Sequence, residues 1–149
     1  MNLLRAFLCL VLFAGAATAA AASSQQRAEE LFERYQALAA AFDPAAADLY
    51  ADDAVITNRR TYPTGEVREL SLPAGQYKEL VRASMPLAKS RGDTNTYSDV
   101  EYAIEGDKVR VTAQRYSELK KYTSTLVLVL GPGPDGSWQV LEEHSESRP

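Results

Sequence analysis

The single histidine of the chain, His144, lies two residues after Glu142 in a segment that also contains Trp138 and Val140. Alternate residues of a β-strand project to the same face, so a strand here would place these four side chains on one side. The apolar pair should contact the core, which would point Glu142 and His144 into any cavity beneath it. An acid beside an imidazole can orient a ligand or exchange protons with it.

In an earlier segment, Val109 and Val111 alternate with polar residues, and Arg115 continues the same alternation. A strand here would therefore place Arg115 on the face that carries the two valines. We expect Arg115 to meet Glu142 or His144 inside the cavity, where such a set could bind a ligand. The alternative is a structural ion pair at the open end of the sheet, with water completing its hydrogen bonds.

The residues that we predict to bind a ligand fall into a polar group and an apolar wall. The polar group would orient one end of the molecule and consists of Tyr35, Asn58, Arg115, Glu142 and His144. The wall would come from Tyr77, Tyr102 and Trp138. No residue is assigned a catalytic role.

The residue types disfavour several other kinds of site. Glu142 and His144 supply two metal ligands, whereas stable transition-metal sites usually need about three or four, so no metal is expected. Ser145 follows His144 directly and would point to the opposite face, so the two cannot act as nucleophile and base. Residues Gly131–Gly136 have the spacing of a dinucleotide-binding loop, but two prolines remove N–H donors and a strand follows. We interpret this run as a hairpin loop and expect no cofactor.

Three arginines, Arg59, Arg60 and Arg68, cluster in the first predicted hairpin. They could hold an anion. The alternative is that their charges guard an exposed sheet edge against pairing with another strand.

The spacing of apolar residues predicts helices first and a sheet last. Residues 24–42 repeat apolar side chains at helical intervals, and Asp43-Pro44 ends that helix and begins another. The predicted order is a helix over 24–42, a short helix over 44–51, strands over 54–62 and 66–72, a helix from Pro73 to Gly92, and a four-stranded antiparallel meander between Ser98 and Ser147. In a chain of 149 residues this order predicts one α+β domain, with helices on one face of a sheet and a cavity at the helix ends.

The run from Asp43 to Val55, with Leu-Tyr-Ala-Asp-Asp-Ala-Val at its end, resembles the nuclear transport factor 2-like (NTF2-like) superfamily, which includes SnoaL-like domains and ketosteroid isomerases. The Gly136–Val140 segment, followed by His144-Ser145, is similar to their last strand. The resemblance implies a cone-shaped, curved antiparallel sheet wrapped around an N-terminal helix group, an α+β fold also called cystatin-like. It implies little about activity, because this fold hosts enzymes, ligand binders and dimerisation modules.

The resemblance to ketosteroid isomerases themselves is incomplete. Tyr35 matches the tyrosine that donates to the oxyanion in those enzymes. Asn58 stands where they carry an aspartate as general base, and an amide cannot take up a proton at neutral pH. The segment Thr125–Leu128, where their second oxyanion donor is expected, contains no acid.

The first 22 residues predict an export signal. Arg5 precedes an apolar run from Ala6 to Ala17, and the small residues that follow fit an Ala-x-Ala cleavage site. A membrane anchor is the alternative, but it would need about 20 strongly apolar residues. We therefore expect one mature domain over residues 23–149, periplasmic or secreted and free of the membrane after cleavage. The net charge of −4 argues against a nucleic-acid partner.

Residues Thr125–Leu130 are apolar on both faces of their predicted strand. The outer face, with Val127 and Val129, is expected to pack against a second copy of the chain in a homodimer. The alternative is coverage by the chain's own termini or neighbouring side chains.

The function that we expect is binding of a small, mostly apolar molecule, or support of a dimeric interaction. The alternative is an enzyme of polyketide-cyclase, dehydratase or isomerase type that uses Glu142 or His144 as acid–base. A third possibility is a scaffold whose interior is filled by its own side chains.

Overall fold

The computed structural model describes the backbone of residues 3–149 and the side chains of residues 20–149. Its elements follow the predicted order. They are α1 (Leu3–Ala40), a short 3-10 helix (Pro44–Leu49), β1 (Tyr50–Thr61), β2 (Val67–Leu72), α2 (Ala74–Arg91), β3 (Asn95–Glu105), β4 (Lys108–Ser117), β5 (Tyr122–Pro132) and β6 (Trp138–Ser147).

The first helix differs from the prediction at both ends. It begins at Leu3 rather than Ser24, because the alanine-rich stretch before Ser24 favours a helix and contains nothing that would interrupt one. It ends at Ala40, and Phe42 then takes a left-handed conformation with φ 56°. The predicted export signal over residues 1–22 falls mostly outside the described side chains, so cleavage and export stay predictions. Among the helices that the structure describes, none combines the length and apolarity needed to cross a membrane.

The 3-10 helix carries the chain from α1 into the core. The Asp43 side chain accepts a hydrogen bond from the backbone N–H of Ala45 at 2.8 Å, which confirms Asp43 as the N-cap, and Pro44 takes the first position. The helix ends at Leu49, and both Leu49 and Tyr50 are buried. This short turn therefore positions the first residue of β1 under α2.

The sheet has six strands in the order β2-β1-β6-β5-β4-β3. Its curved α+β architecture was predicted, and the antiparallel pairing expected of it is present everywhere except between β1 and β6. β1 and β6 run parallel, because the last strand of the meander, rather than the first, joins the hairpin formed by β1 and β2. The other neighbouring pairs are antiparallel.

The core lies between α1 and one face of the sheet. Ala28, Leu31 and Phe32 of α1 recur at helical spacing and are buried, as predicted. They pack against alternate residues of the central strands, namely Val109, Val111, Ala113, Leu126, Leu128, Leu130 and Val140. We call this the helix-side face, and the opposite face of the sheet the outer face.

A β-bulge interrupts the alternation of β6. Leu130 pairs with Val140, but the preceding Val129 pairs with Glu142, so Leu141 has no partner of its own. Val140 and Glu143 are consequently both buried, although they are three residues apart. Beyond the bulge, odd-numbered residues of β6 occupy the helix-side face.

The outer face of β5 carries Val127 and Val129, as predicted. Val129 is only 2% exposed in the single chain, and Val127 is half-buried. Neighbouring side chains of the same chain therefore cover Val129 and part of Val127, which is the alternative to coverage by a second copy.

Packing at the helix-side face should dominate stability. Leu128 has no solvent exposure, whereas Leu119, in the turn after β4, is 40% exposed. We expect Leu128→Ala to lower the free energy of unfolding by about 2–5 kcal/mol, because it leaves a cavity in the core. The matched Leu119→Ala should change it by less than about 0.5 kcal/mol. Urea unfolding followed by circular dichroism measures both, and equal effects would contradict this assignment of the core.

Candidate functional site

A cavity of about 410 Å³ opens between the sheet and α2. Its walls are contributed by β1, β2, α2, β4 and β6. The lining residues are Ile56, Asn58, Leu70, Ser71, Leu72, Tyr77, Leu80, Arg115, Glu143 and Ser145. The aliphatic residues come mainly from β2 and α2, and the ionised side chains from β4 and β6.

Glu143 supplies a buried carboxylate, with 3% of the residue exposed. Tyr50 donates its hydroxyl to Oε2, and Tyr77 donates its hydroxyl to Oε1 at 3.0 Å. The two phenol rings also pack edge-to-face, with centroids 5.2 Å apart. Each carboxylate oxygen thus has one donor, and three elements are joined at this residue.

The two phenols are held in their protonated, donating form. Burial raises the pKa of Tyr50 and of Tyr77 well above the usual tyrosine value, and the negative charge of Glu143 raises both further. Neither phenol is therefore set up to release a proton near neutral pH.

Arg115 supplies the positive charge of the cavity. One of its terminal nitrogens, Nη2, donates to the backbone carbonyl of Glu146 at 2.8 Å and to Ser124 Oγ at 3.4 Å. Burial lowers the pKa of the guanidinium, but the neighbouring Tyr35 and Glu143 side chains outweigh burial and raise it overall. Arg115 is therefore a fixed cation, and it lines the cavity on the face that the strand alternation of β4 predicted.

Asn58 and two serines form a hydrogen-bonded row beside the charges. Asn58 donates from Nδ2 to Ser145 Oγ at 2.9 Å, and Ser147 donates to Asn58 Oδ1 at 2.7 Å. Ser145 accepts in this arrangement and keeps its own O–H available to the cavity. The row positions that hydroxyl rather than a general base.

Tyr35 lies beneath the cavity rather than in its lining. Its ring belongs to a cluster with Phe32 and Tyr97, at centroid distances of 6.0 and 6.3 Å. Burial, followed by the charge of Glu143, raises the pKa of Tyr35 well above its usual value. Tyr35 is therefore part of the aromatic core next to the site and does not contact the cavity itself.

The other two aromatic residues that sequence analysis assigned to the wall do not reach the cavity. Tyr102 pairs with Val111 across β3 and β4, and Trp138 begins β6 opposite Pro132. Both pack against the core and neither lines the cavity. The predicted wall therefore keeps only Tyr77.

The expectation that Glu142 and His144 project into the cavity is wrong. The bulge at Leu141 reverses the alternation of β6, so both side chains lie on the outer face, where they are 35% and 38% exposed. There His144 Nε2 is 2.9 Å from Glu142 Oε2, and His144 Nδ1 is 2.7 Å from Thr57 Oγ1. Arg115 meets neither of them, and its buried acidic neighbour is Glu143.

Two central residues of the site were not predicted. Glu143 was passed over because strict alternation placed its neighbours inside, and Tyr50 lies before the predicted start of β1. The signal that pointed toward Glu143 is the run Glu142-Glu143-His144, in which any strand must turn at least one charge inward. The direction of that turn depends on the bulge.

Glu143 and the two phenols form a connected set of hydrogen bonds at the inner end of the cavity. Both oxygens of Glu143 already accept hydrogen bonds, and the nearby phenols retain their protons. Among the residues that the structure describes, no group of three histidine, cysteine or acidic side chains is placed to hold a metal ion.

Solved structures with the same fold were found by comparison. An NTF2-like protein with a cystatin-like fold from Novosphingobium aromaticivorans has a TM-score of 0.60 and 15% identity, covering 88% of this chain and 86% of its own. A provisionally assigned scytalone dehydratase from the same organism has a TM-score of 0.61 and 14% identity, covering 86% of each chain. A provisionally assigned ketosteroid isomerase from Shewanella frigidimarina has a TM-score of 0.53 and 22% identity, covering 80% of this chain and 94% of its own.

No family profile matches the chain, and no functionally curated protein matches it. At identities of 14% to 22%, the structural similarities establish the fold and leave the activity open. The chain has the NTF2-like, cystatin-like fold that its sequence resembled.

The raised phenol pKa values predict a loss of stability in alkali. Above pH 10.0, the ordinary tyrosine value, the unfolded chain releases phenol protons that the folded chain keeps, so the free energy of unfolding falls as pH rises. Tyr50→Phe should make this decline shallower, while removing a donor from Glu143 and costing about 1–3 kcal/mol at neutral pH.

Urea unfolding across this pH range provides the measurement. Tyr116→Phe is the matched control, because Tyr116 forms no side-chain hydrogen bond within the described part of the chain and lies on the outer face of β4. If Tyr50→Phe and Tyr116→Phe give the same slope as the unsubstituted protein, the raised pKa of Tyr50 is ruled out.

Proposed function

We propose that the chain binds a small, mostly apolar molecule in the cavity between β1, β2 and α2. The observation that carries this proposal is a 410 Å³ space with aliphatic walls and a few convergent polar groups at its inner end. Ligand sites in proteins commonly have this composition. A cavity of this size also argues against a scaffold whose interior is completely filled.

The hydrogen-bond inventory indicates which polar group the ligand would carry. Arg115 uses only Nη2 within the described part of the chain, so Nε and Nη1 remain as donors. Ser145 also retains its O–H, while each Glu143 oxygen already accepts one phenol hydrogen bond. The unpartnered N–H and O–H donors of Arg115 and Ser145 favour a ligand whose polar end is an acceptor.

The charges of the cavity favour an uncharged ligand. Arg115 and Glu143 contribute opposite charges, and the cavity as a whole is close to neutral. A second anion would face the buried carboxylate of Glu143 in surroundings that screen charge poorly. The carbonyl of an otherwise apolar molecule would meet the donors without that cost.

An enzyme of dehydratase or isomerase type is the alternative, and two of the structural neighbours carry such provisional assignments. Glu143 is the side chain that would act as a base. A base must direct a lone pair at the substrate, whereas the Glu143 carboxylate is buried and each of its oxygens already has one lone pair engaged by a phenol. This arrangement favours binding without catalysis.

The proposal is tested with 2-octanone, whose carbonyl is the acceptor, in titrations followed by NMR. Arg115→Met should weaken binding about tenfold, because it removes a charged donor. Leu70→Trp should abolish binding by filling the mouth of the cavity, since Leu70 is exposed and lines it. The control His144→Gln lies on the outer face and should bind like the unsubstituted protein.

Two results would count against this assignment. One is an equal affinity in all four proteins. The other is octanoate binding more tightly than 2-octanone, which would contradict the expectation that the buried carboxylate of Glu143 disfavours an anionic ligand.

Homodimerisation through the outer face is a further part of the proposal. It is supported by Val55, which is 50% exposed on the outer face of β1, and by the half-buried Val127. The coverage of Val129 within the chain reduces the apolar area available to a partner.

Export to the periplasm or outside the cell rests on residues 1–22 and is part of the same proposal.

We expect sedimentation velocity to show a dimer that Val127→Lys weakens at least about tenfold, because a charge would enter an apolar contact. Leu87→Lys replaces an exposed residue of α2, away from the sheet, and should leave the dimer intact. A monomer at every concentration would rule out dimerisation.

A further inference from the structure

A second depression, of about 260 Å³, lies where β5 begins and β6 ends. It shares no lining residue with the cavity described above, and nearly all of its lining is polar. Its residues are Arg59, Thr61, Tyr122, Thr123, Ser124, Glu146, Ser147 and Arg148. We call it the strand-end depression.

The two arginines of this depression have no carboxylate partner in the part of the chain that the structure describes. Arg68, Arg82 and Arg110, by contrast, each lie 2.7 Å from a carboxylate oxygen. Neither the Arg59 nor the Arg148 guanidinium is in a comparable ion pair or donates a side-chain hydrogen bond there. In a chain with a net charge of −4, two guanidinium groups outside ion pairs outnumber the single acid of this depression, Glu146, which is the cross-strand neighbour of Arg59.

Arg59 and Arg148 are brought together by the pairing of strands and not by the sequence cluster of Arg59, Arg60 and Arg68. Arg60 and Arg68 both stack on Tyr62, at 5.4 and 5.3 Å from the ring centroid, which separates them from Arg59. The pairing of β1 with β6 places Arg59 near Arg148 instead, although the two are far apart in sequence.

Arg148 is held in place from two sides. Its guanidinium lies 5.5 Å from the centroid of the Tyr122 ring, and its backbone N–H donates to the Tyr122 hydroxyl at 3.0 Å. Lys120 donates from Nζ to the Arg148 carbonyl at 3.1 Å, which adds a third cation nearby. This ordering lowers the conformational entropy that a ligand would have to remove.

Hydroxyl groups supply further donors. The Tyr122 hydroxyl accepts one hydrogen bond and keeps its proton to donate. Thr61 and Thr123 also line the depression, and their hydroxyls have no partner among the described residues. Glu146 is the one acid of the lining, and its Oε2 is near the backbone N–H of Thr125 at 3.4 Å. The lining side chains therefore sum to a positive charge.

We propose that the strand-end depression binds a tetrahedral oxyanion, namely the phosphate or sulfate group of a small molecule. Guanidinium groups match the oxygens of such anions with paired N–H donors. Two guanidinium groups and three hydroxyls offer more donors than a planar carboxylate can accept, whereas a tetrahedral oxyanion presents oxygens in several directions. This site is independent of the apolar cavity.

Isothermal titration calorimetry with inorganic phosphate tests the proposal, with sulfate and acetate as comparison anions at constant ionic strength. Phosphate and sulfate should bind saturably and acetate should bind more weakly. Arg59→Gln and Arg148→Gln should each weaken phosphate binding about tenfold or more, because each removes a charge-assisted donor pair. Arg34→Gln replaces an exposed arginine of α1 and is the matched control.

Circular dichroism verifies that all variants fold. Tyr122→Phe keeps the ring under Arg148 but removes a donor, so it should give an intermediate affinity. Absence of saturable phosphate binding, or an equal loss in Arg34→Gln, would overturn the proposal.

A lipid headgroup and a free phosphate compound share this chemistry, and co-sedimentation with phosphatidic acid vesicles separates them. Vesicle binding that inorganic phosphate displaces, and that Arg148→Gln weakens, supports the site with a lipid as its source. Saturable phosphate binding without vesicle binding supports it with a soluble source.

Discussion

The burial of Glu143 constrains how the helices and the sheet meet. Moving a carboxylate out of water costs several kcal/mol unless donors replace the lost solvent. Tyr50, at the start of β1, and Tyr77, on α2, provide those donors, and Arg115 adds an opposite charge from β4. Four elements must therefore take their observed positions together for Glu143 to be accommodated, and the cavity lies in the space that this arrangement leaves.

The bulge in β6 decides which acid takes that role. With Leu141 unpaired, the strand turns Glu143 toward the helices and releases Glu142 to the outer face. Gly131 makes room for the bulge, since a Cβ at that position would lie 2.8 Å from Leu141 Cδ1. Gly131, which follows the apolar run of β5, thus accommodates the Leu141 side chain, and the bulge at Leu141 determines which acid faces the cavity.

This dependence explains why the sequence predicted the fold better than the site. The helical spacing of Ala28, Leu31 and Phe32 is local, as is the strand alternation that placed Arg115 correctly. A bulge depends on packing between strands, so counting by twos along β6 gives the right face at Val140 and the wrong face at His144. The parallel pairing of β1 with β6 is also non-local, because it joins residues that are far apart in the chain.

Alternation along β6 also separates the two faces chemically. Glu143 and Ser145 line the cavity, while His144 and Glu146, which follow them in the chain, lie on the outer face. Two adjacent residues of one strand can therefore be substituted independently, since their side chains lie on opposite faces of the sheet. The bulge is the exception, because removing or shifting it would reassign every later side chain of β6 at once. A substitution at Leu141 or Gly131 that shifted the bulge would consequently alter both faces, even though neither residue lines the cavity.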